Sequence, residues 1–205
     1  MQYARRFSIL ALAVSLTATA ARGQAPAGPE TAQSVAQLQS FGTMVAFLNL
    51  AAGTVRVVAI LEPASPAADD AVNALRSLLE SNSSKRLRAY VVWTRLSDQD
   101  TQLRALSRAN TLRDRRLVQF WDNDAVVAES FRSVVASGTV PATGVVLLYD
   151  TDARLALSPP APALWMSMNA GIAGPAFDPA RLGASANTMV RRVEAKVTDV
   201  TSPKP

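Results

Sequence analysis

A chain of 205 residues that is 49% hydrophobic and 18% charged can bury one sizeable core and is too short for two comfortable domains. The absence of cysteine excludes disulfides, thiolate chemistry and thiolate metal sites, and the absence of histidine excludes Ser-His-Asp triads, imidazole bases and the usual zinc sites. The net charge of +5 is weak evidence for nucleic-acid binding, and we expect no nucleic-acid partner.

Residues 1–23 have the organisation of a secretory signal peptide. The basic start MQYARR precedes the apolar stretch FSILALAVSLTATA, and small residues follow it. That stretch is about 14 residues long, which is shorter than the roughly 20 residues of a membrane-spanning helix. We therefore expect cleavage after Ala20 or Gly23, export to the periplasm or the extracellular space, and no membrane contact in the mature form.

The rest of the chain predicts one domain. Residues 24–31 predict a flexible linker, residues 32–198 the domain and residues 199–205 a disordered tail. Within the domain, apolar residues at three- and four-residue spacing predict a helix over 32–50. The almost wholly apolar segment 55–61 predicts a strand that is buried on both faces.

A second helix is predicted to follow this strand, with Ser65 as its N-cap and Pro66 in its first turn. A Ser-x-x-Asp capping box over 97–100 predicts the start of another helix. The remaining predicted elements are a strand over 87–94, a short strand or turn over 117–122, a helix over 125–137, a strand over 144–150, a weak strand near 155–157, an extended proline-rich segment over 158–164 and a helix that begins at Asp178-Pro179.

This order of elements predicts an α/β fold. A strand–helix–strand crossover followed by a strand–strand–helix unit folds into one mixed sheet with helices on both faces. It corresponds to the thioredoxin topology, with an extra N-terminal helix and a helical insertion.

Residues 53–72, GTVRVVAILEPASPAADDAV, resemble the first strand and active-site turn of secreted bacterial thioredoxin-like proteins. The segments LRAYVVWTRL, LRDRRLVQFWD, GVVLLYD and PPAPALWM are similar to later parts of the same superfamily. In that superfamily a Cys-Pro-x-Cys motif opens the first helix. Here Ser65, Pro66, Ala67 and Ala68 occupy its place, and Pro141 corresponds to the cis-proline that precedes the third strand.

The resemblance implies a site that has lost its chemistry. The superfamily depends on a thiolate at a helix N-terminus, and a serine hydroxyl ionises far less readily and forms no disulfide. Redox activity is therefore excluded. We expect a non-catalytic module that binds a protein or an extended peptide by sheet-edge pairing around Ser65, Pro66, Ala67, Ala68 and Pro141, without a cofactor.

The alternative is an enzyme of unrecognised type. Ser65 could be a nucleophile rather than a cap, although without histidine its base would have to be a lysine or a carboxylate. The candidate acids and bases are Asp69, Asp70, Asp122 and Asp150. This alternative requires two of these carboxylates to converge in one pocket with pKa values pushed apart.

Two weaker patterns remain. Arg113, Arg115 and Arg116 could bind an anion such as a phosphate or an acidic partner, although a solvated, partly ion-paired loop is the simpler interpretation. The segments 122–124 and 150–152 begin like calcium loops but lack the glycine and the closing glutamate. We expect turns there and no metal site.

Overall fold

The computed structural model describes residues 35–156 and 158–201. The strands are β1 (Val35–Gln37), β2 (Val55–Leu61), β3 (Leu87–Thr94), β4 (Leu117–Asp122), β5 (Val145–Tyr149) and β6 (Leu164–Ser167). The helices are α1 (Phe41–Leu50), α2 (Ala67–Ser81), α3 (Gln102–Ala109), α4 (Val126–Ser130) and α5 (Pro179–Thr201). The predicted signal peptide and linker lie outside the described residues.

The six strands form one mixed sheet in the order β1-β4-β3-β2-β5-β6. The first four strands of this order run parallel, β5 runs antiparallel to β2, and β6 runs antiparallel to β5. The β2–α2–β3 crossover and the β5–β6–α5 unit are those predicted, so the fold is the expected thioredoxin-like α/β sheet. No helix of the described residues is long and apolar enough to span a membrane.

Side chains that alternate along the strands build a core on each face of the sheet. Ala59 and Leu61 of β2 pack with α2, α3 and α5, whereas Val58 and Ile60 pack with α1 and α4. Every residue of β2 is buried, which confirms the predicted two-sided burial. The helices therefore lie on both faces, and the ends of β2 are fixed by packing from both sides.

The first helix is shorter than predicted. Ser40 accepts a hydrogen bond from the N–H of Thr43 and caps α1, so the helix begins at Phe41 rather than at residue 32. The preceding residues form the edge strand β1, and the N–H of Leu38 donates to the carbonyl of Trp121 at 2.8 Å. Pairing with β4 satisfies backbone groups that a helix would otherwise have to satisfy.

Three other boundaries also differ from the prediction. Helix α4 ends at Ser130, and turns follow it through the β-branched residues Val134 and Val135. No strand forms at residues 155 and 156, because the Asn49 side chain bonds both backbone groups of Leu155, at 2.8 and 3.0 Å. Helix α5 runs to Thr201, so the predicted disordered tail does not begin at residue 199.

One charged side chain lies inside the core, which the apolar pattern of β2 does not predict. The guanidinium of Arg56 donates to the carbonyl of Leu48 at 3.0 Å, and to those of Asp150 and Ala153 at 2.7 Å each. Burial lowers the pKa of Arg56, since desolvation disfavours the charged form. These three bonds join the end of α1 to the loop after β5.

Candidate functional site

The predicted site lies at the carboxyl end of β2, where residues 62–66 turn into α2. This segment is called the β2–α2 turn below. The N–H of Ser65 donates to the carbonyl of Glu62 at 3.1 Å, and the N–H of Ala68 donates to the carbonyl of Ser65 at 3.2 Å. Because β2 has β3 on one side and β5 on the other, the turn lies at the middle of one end of the sheet.

Ser65 does not act as the side-chain cap that the sequence predicts. Pro66 already has helical backbone angles (φ −59°, ψ −34°) at the position before α2, and that position makes no side-chain capping bond. The backbone carbonyl of Ser65 closes the first turn instead. Ser65 and Ala67 are half-buried, Pro66 is exposed and Ala68 is buried, so residues 65–67 form the accessible part of the predicted motif.

Arg108 of α3 binds the turn at two places and the start of α2 at a third, and sequence reasoning did not identify it. Its guanidinium donates to the carbonyl of Pro63 at 2.6 Å and to that of Ser65 at 3.1 Å, and it forms an ion pair with Asp69. Hydrogen bonds from a charged donor are roughly twice as strong as neutral ones. Arg108 therefore fixes the backbone of the turn and the start of α2 together.

Asp100 holds the other side of the turn. Its Oδ1 accepts a hydrogen bond from the N–H of Ala64 at 2.9 Å, and its Oδ2 accepts from the N–H and the hydroxyl of Ser97, at 3.0 and 2.8 Å. The predicted capping box is thus a local Ser97–Asp100 contact, and α3 begins later, with Thr101 as its N-cap. Asp100 is buried and connects the loop after β3 to the turn.

The segment that carries Pro141 lies beside the turn as well. The hydroxyl of Thr143 donates to Oε1 of Glu62 at 2.6 Å, so the structure brings Pro141 and the β2–α2 turn to the same end of the sheet. The Val140–Pro141 peptide is trans, like the other peptide bonds of the described residues. Pro141 therefore differs from the cis-proline that the resemblance implies.

The position of the turn differs from the one that the predicted sheet-edge pairing assumes. The turn follows a central strand, and the edges of the sheet are β1 and β6. On β6, the N–H of Ser167 donates to the carbonyl of Pro175 at 2.8 Å, and its carbonyl accepts from the N–H of Phe177 at 2.9 Å. A partner at the β2–α2 turn must therefore bind by other contacts.

Three N–H groups of the segment before β5 are already bonded within the protein. The N–H of Val140 donates to Ser137, that of Ala142 to Ala128 and that of Thr143 to Pro141, at 2.8 to 3.1 Å. Proline has no N–H of its own. Residues 140–143 thus contribute no free backbone donor to a partner strand.

The acidic residues of the alternative hypothesis do not converge on the turn. Asp69 and Asp70 lie on α2, on one face of the sheet. Asp122 is fully buried and accepts hydrogen bonds from the N–H groups of Val126 and Val127, at 3.0 and 2.9 Å, where α4 covers the opposite face. Burial raises the pKa of Asp122. Its carboxylate serves to hold the start of α4.

Asp150 lies at the other end of the sheet. It follows β5, which runs antiparallel to β2, and it forms an ion pair with Arg192 of α5. Within the described residues no three acidic side chains come together as a metal-binding group. The four candidate carboxylates therefore occupy three separate places.

The predicted arginine patch loses Arg116. Its guanidinium is buried and donates to both carboxylate oxygens of Asp114, at 2.9 and 2.6 Å, and to the carbonyls of Leu79, Asn82 and Ser84. The charged group of Arg116 is therefore bonded inside the protein and does not belong to the predicted anion-binding patch. Arg113 and Arg115 remain exposed, and Arg113 donates to the carbonyl of Asn110 at 3.2 Å.

The Asp114–Arg116 pair predicts a pH-dependent stability. The hydrogen bond from Arg116 lowers the pKa of Asp114, so the pair stabilises the fold above the ordinary carboxylate pKa near 4 and loses this effect as the pH falls through the lowered folded pKa. We expect Asp114→Asn to reduce the free energy of unfolding by about 1–3 kcal/mol at pH 7, with the difference shrinking towards pH 3. Urea unfolding measures this difference.

The control is Asp98→Asn, because Asp98 pairs with Arg95 but is fully exposed. This substitution should leave stability unchanged. An Asp114→Asn penalty that is equally large at pH 7 and pH 3 would contradict the assignment.

A second prediction tests whether the turn keeps the geometry of a disulfide-forming motif. Four residues in a tight turn place their terminal Cα atoms less than about 7 Å apart, within reach of a disulfide. We expect the double variant Ser65→Cys/Ala68→Cys to form an intramolecular disulfide on mild oxidation. The helix N-terminus should lower the pKa of the thiol at position 65 below the usual 8.5 or so.

Thiol titration and the thiolate absorbance of the reduced protein measure the two effects. A single Ser77→Cys variant, in the middle of α2, supplies the control thiol with an ordinary pKa. Failure of the double variant to close its disulfide while it stays folded would show that the turn has lost the geometry.

Comparisons with known proteins identify neighbours of the fold. No protein-family description matches this chain, and no curated protein matches it. Similar solved structures include a secreted Mycobacterium tuberculosis disulfide oxidoreductase homologous to E. coli DsbE (13% identity, 68% of this chain and 85% of that chain, TM-score 0.46). Others are a thioredoxin-family thiol:disulfide interchange protein from Chlorobium tepidum (8%, 69% and 83%, TM-score 0.47) and a thioredoxin-like protein in its oxidised form (12%, 68% and 79%, TM-score 0.46). The neighbours are thioredoxin-like proteins, whereas this chain has no cysteine.

Proposed function

We propose that this chain is an exported, redox-inactive thioredoxin-like protein that binds a partner protein or an extended peptide at the β2–α2 turn. The observation that carries the proposal is the set of polar contacts that fix the turn. Arg108 and the buried Asp100 hold its backbone by polar contacts, although the turn contains no cysteine for thiol chemistry. Burying such polar groups costs free energy unless they are well paired. A turn that is fixed in this way in a chain without cysteine supports a role for its shape rather than for thiol chemistry.

Exposed apolar side chains beside the turn support the same proposal. Leu96 is 40% exposed, and its N–H donates at 3.3 Å to the Asp100 carboxylate that also holds Ala64. Leu103, in the first turn of α3, is 77% exposed. Together with the exposed Pro66, Leu96 gives the turn an apolar border, as is common in protein interfaces.

Export is tested by the N-terminus of the mature protein. We expect the chain recovered outside the cytoplasm of a bacterial host to begin at Ala21 or Gln24, as read by N-terminal sequencing. The variant Leu12→Arg interrupts the apolar stretch and should keep the chain in the cytoplasm with Met1 or Gln2 at its start. Intact leader on the exported protein would contradict cleavage.

Binding is tested by photo-crosslinking inside the exporting cell. A photoreactive residue at Ala67 should give a discrete adduct, whereas the same residue at Ala195, on the exposed side of α5, should give none. Mass spectrometry of the adduct identifies the partner. The absence of an adduct at Ala67 would contradict binding at this surface.

Arg108 provides the second arm of this experiment. Because Arg108→Gln removes the charge that holds the turn, we expect it to reduce the Ala67 adduct severalfold while the protein stays folded. Arg104→Gln is the matched control, since Arg104 is an exposed arginine on the same helix. Equal adduct yields in the two variants would show that binding does not depend on the shape that Arg108 gives the turn.

A further inference from the structure

A groove of about 510 Å³ runs between α2 and α5 and has no role in the site described above. One wall carries Asn73, Ser77 and Ser81 of α2, and the other carries Pro179 and Gly183 of α5, with Phe177 at one end. Its size lies within the range of small-ligand pockets.

The groove begins at the end of the sheet that carries the β2–α2 turn. Asp70, in the first turn of α2, lines it there. Phe177 is held at the same end, because its N–H donates to the carbonyl of Ser167, the last residue of β6. Ser167 in turn pairs with Val145, at the start of β5. A chain bound at the turn could therefore continue into the groove.

Gly183 keeps the groove wide, and the fold does not require a glycine there. A Cβ atom at this position would meet no atom within 4 Å, and no positive φ demands glycine. A glycine in a helix interior is about 1 kcal/mol less favourable than alanine. Its presence in α5 thus weakens the helix without a packing reason in the protein itself, which is expected where a ligand lies close to the backbone.

The polar side chains of α2 have the spacing of an extended peptide. Asn73, Ser77 and Ser81 are each four residues apart, which corresponds to about 6 Å along a helix. Two residues of an extended chain span roughly 6.6 to 6.8 Å. Asn73 uses its Oδ1 to accept from Arg76 at 2.8 Å, and Ser81 uses its hydroxyl proton to donate to Leu78 at 3.2 Å. The amide N–H groups of Asn73 and the oxygen of Ser81 can still bond a peptide backbone.

The charge at the mouth of the groove indicates which peptide fits. Asp70 is exposed, and it is the one charged residue among the described residues that line the groove. Opposite charges favour association and suppress partners of like charge.

We propose that the α2–α5 groove binds an extended peptide segment of the partner, with a basic side chain placed near Asp70. The inference rests on the proposed function, because it extends the same partner from the turn along α2. The backbone of the segment bonds the polar row of α2, and it passes close to Gly183.

The test uses two fluorescein-labelled octapeptides, one alternating lysine with valine and one alternating glutamate with valine, and measures fluorescence anisotropy. We expect saturable binding of the lysine peptide and at least tenfold weaker binding of the glutamate peptide. The variant Ser77→Trp fills the groove and should weaken the binding of the lysine peptide at least tenfold. Ser107→Trp, at an exposed position on α3, is the matched control and should bind as the parent does.

The variant Gly183→Ala distinguishes a loss of peptide binding from a loss of stability. It should raise the melting temperature, because alanine favours the helix, and yet weaken the binding of the lysine peptide severalfold. Loss of affinity in this more stable variant cannot be due to unfolding. The proposal is overturned if neither peptide binds saturably, if the glutamate peptide binds equally well, or if Ser77→Trp and Gly183→Ala both bind as the parent does.

The Ala67 adduct distinguishes the two proposals. An adduct at Ala67 without peptide binding in the groove overturns the groove proposal and supports the proposed function. Peptide binding in the groove without an Ala67 adduct supports the groove and overturns binding at the turn.

Discussion

The shape of the candidate surface depends on one guanidinium group, that of Arg108. It reaches from α3 to two carbonyls of the β2–α2 turn and to Asp69 on α2. The turn and the start of α2 therefore share one charged donor. Asp100 supplies the complementary acceptor from the loop after β3. The turn is therefore held between two segments that follow β3. The contacts of Arg108 and Asp100 fix the positions of the side chains around it.

The groove and the turn belong together because of how the sheet is connected. The crossover from β2 to β3 starts α2 at the carboxyl end of β2, and the antiparallel hairpin of β5 and β6 returns the chain to that end before α5 begins. Two helices thus start side by side at the end of the sheet that carries the turn. Asp70 and Gly183, far apart in sequence, come to line one groove by this connectivity alone.

The sequence allowed the central sheet to be predicted, because buried strands leave a dense apolar pattern such as residues 55–61. It also located the turn, since Pro66 marks a helix start. The contacts that hold the turn could not be predicted: Arg108 meets Pro63 across 45 positions, and Asp100 meets Ala64 across 36. The Ser97–Asp100 pattern was visible, but the same residues suit a helix cap, and only tertiary contacts distinguish the two roles.

A turn closed by charged hydrogen bonds differs from one closed by a disulfide in what its formation requires. Disulfide closure needs an oxidant and is undone by reductants, whereas the contacts of Arg108 and Asp100 form whenever the chain folds. The conformation of residues 62–66 should accordingly be the same in a reducing and in an oxidising compartment. The recognition that we propose at this surface would then be insensitive to the redox state of the surroundings, which a cysteine pair at the same place could not offer.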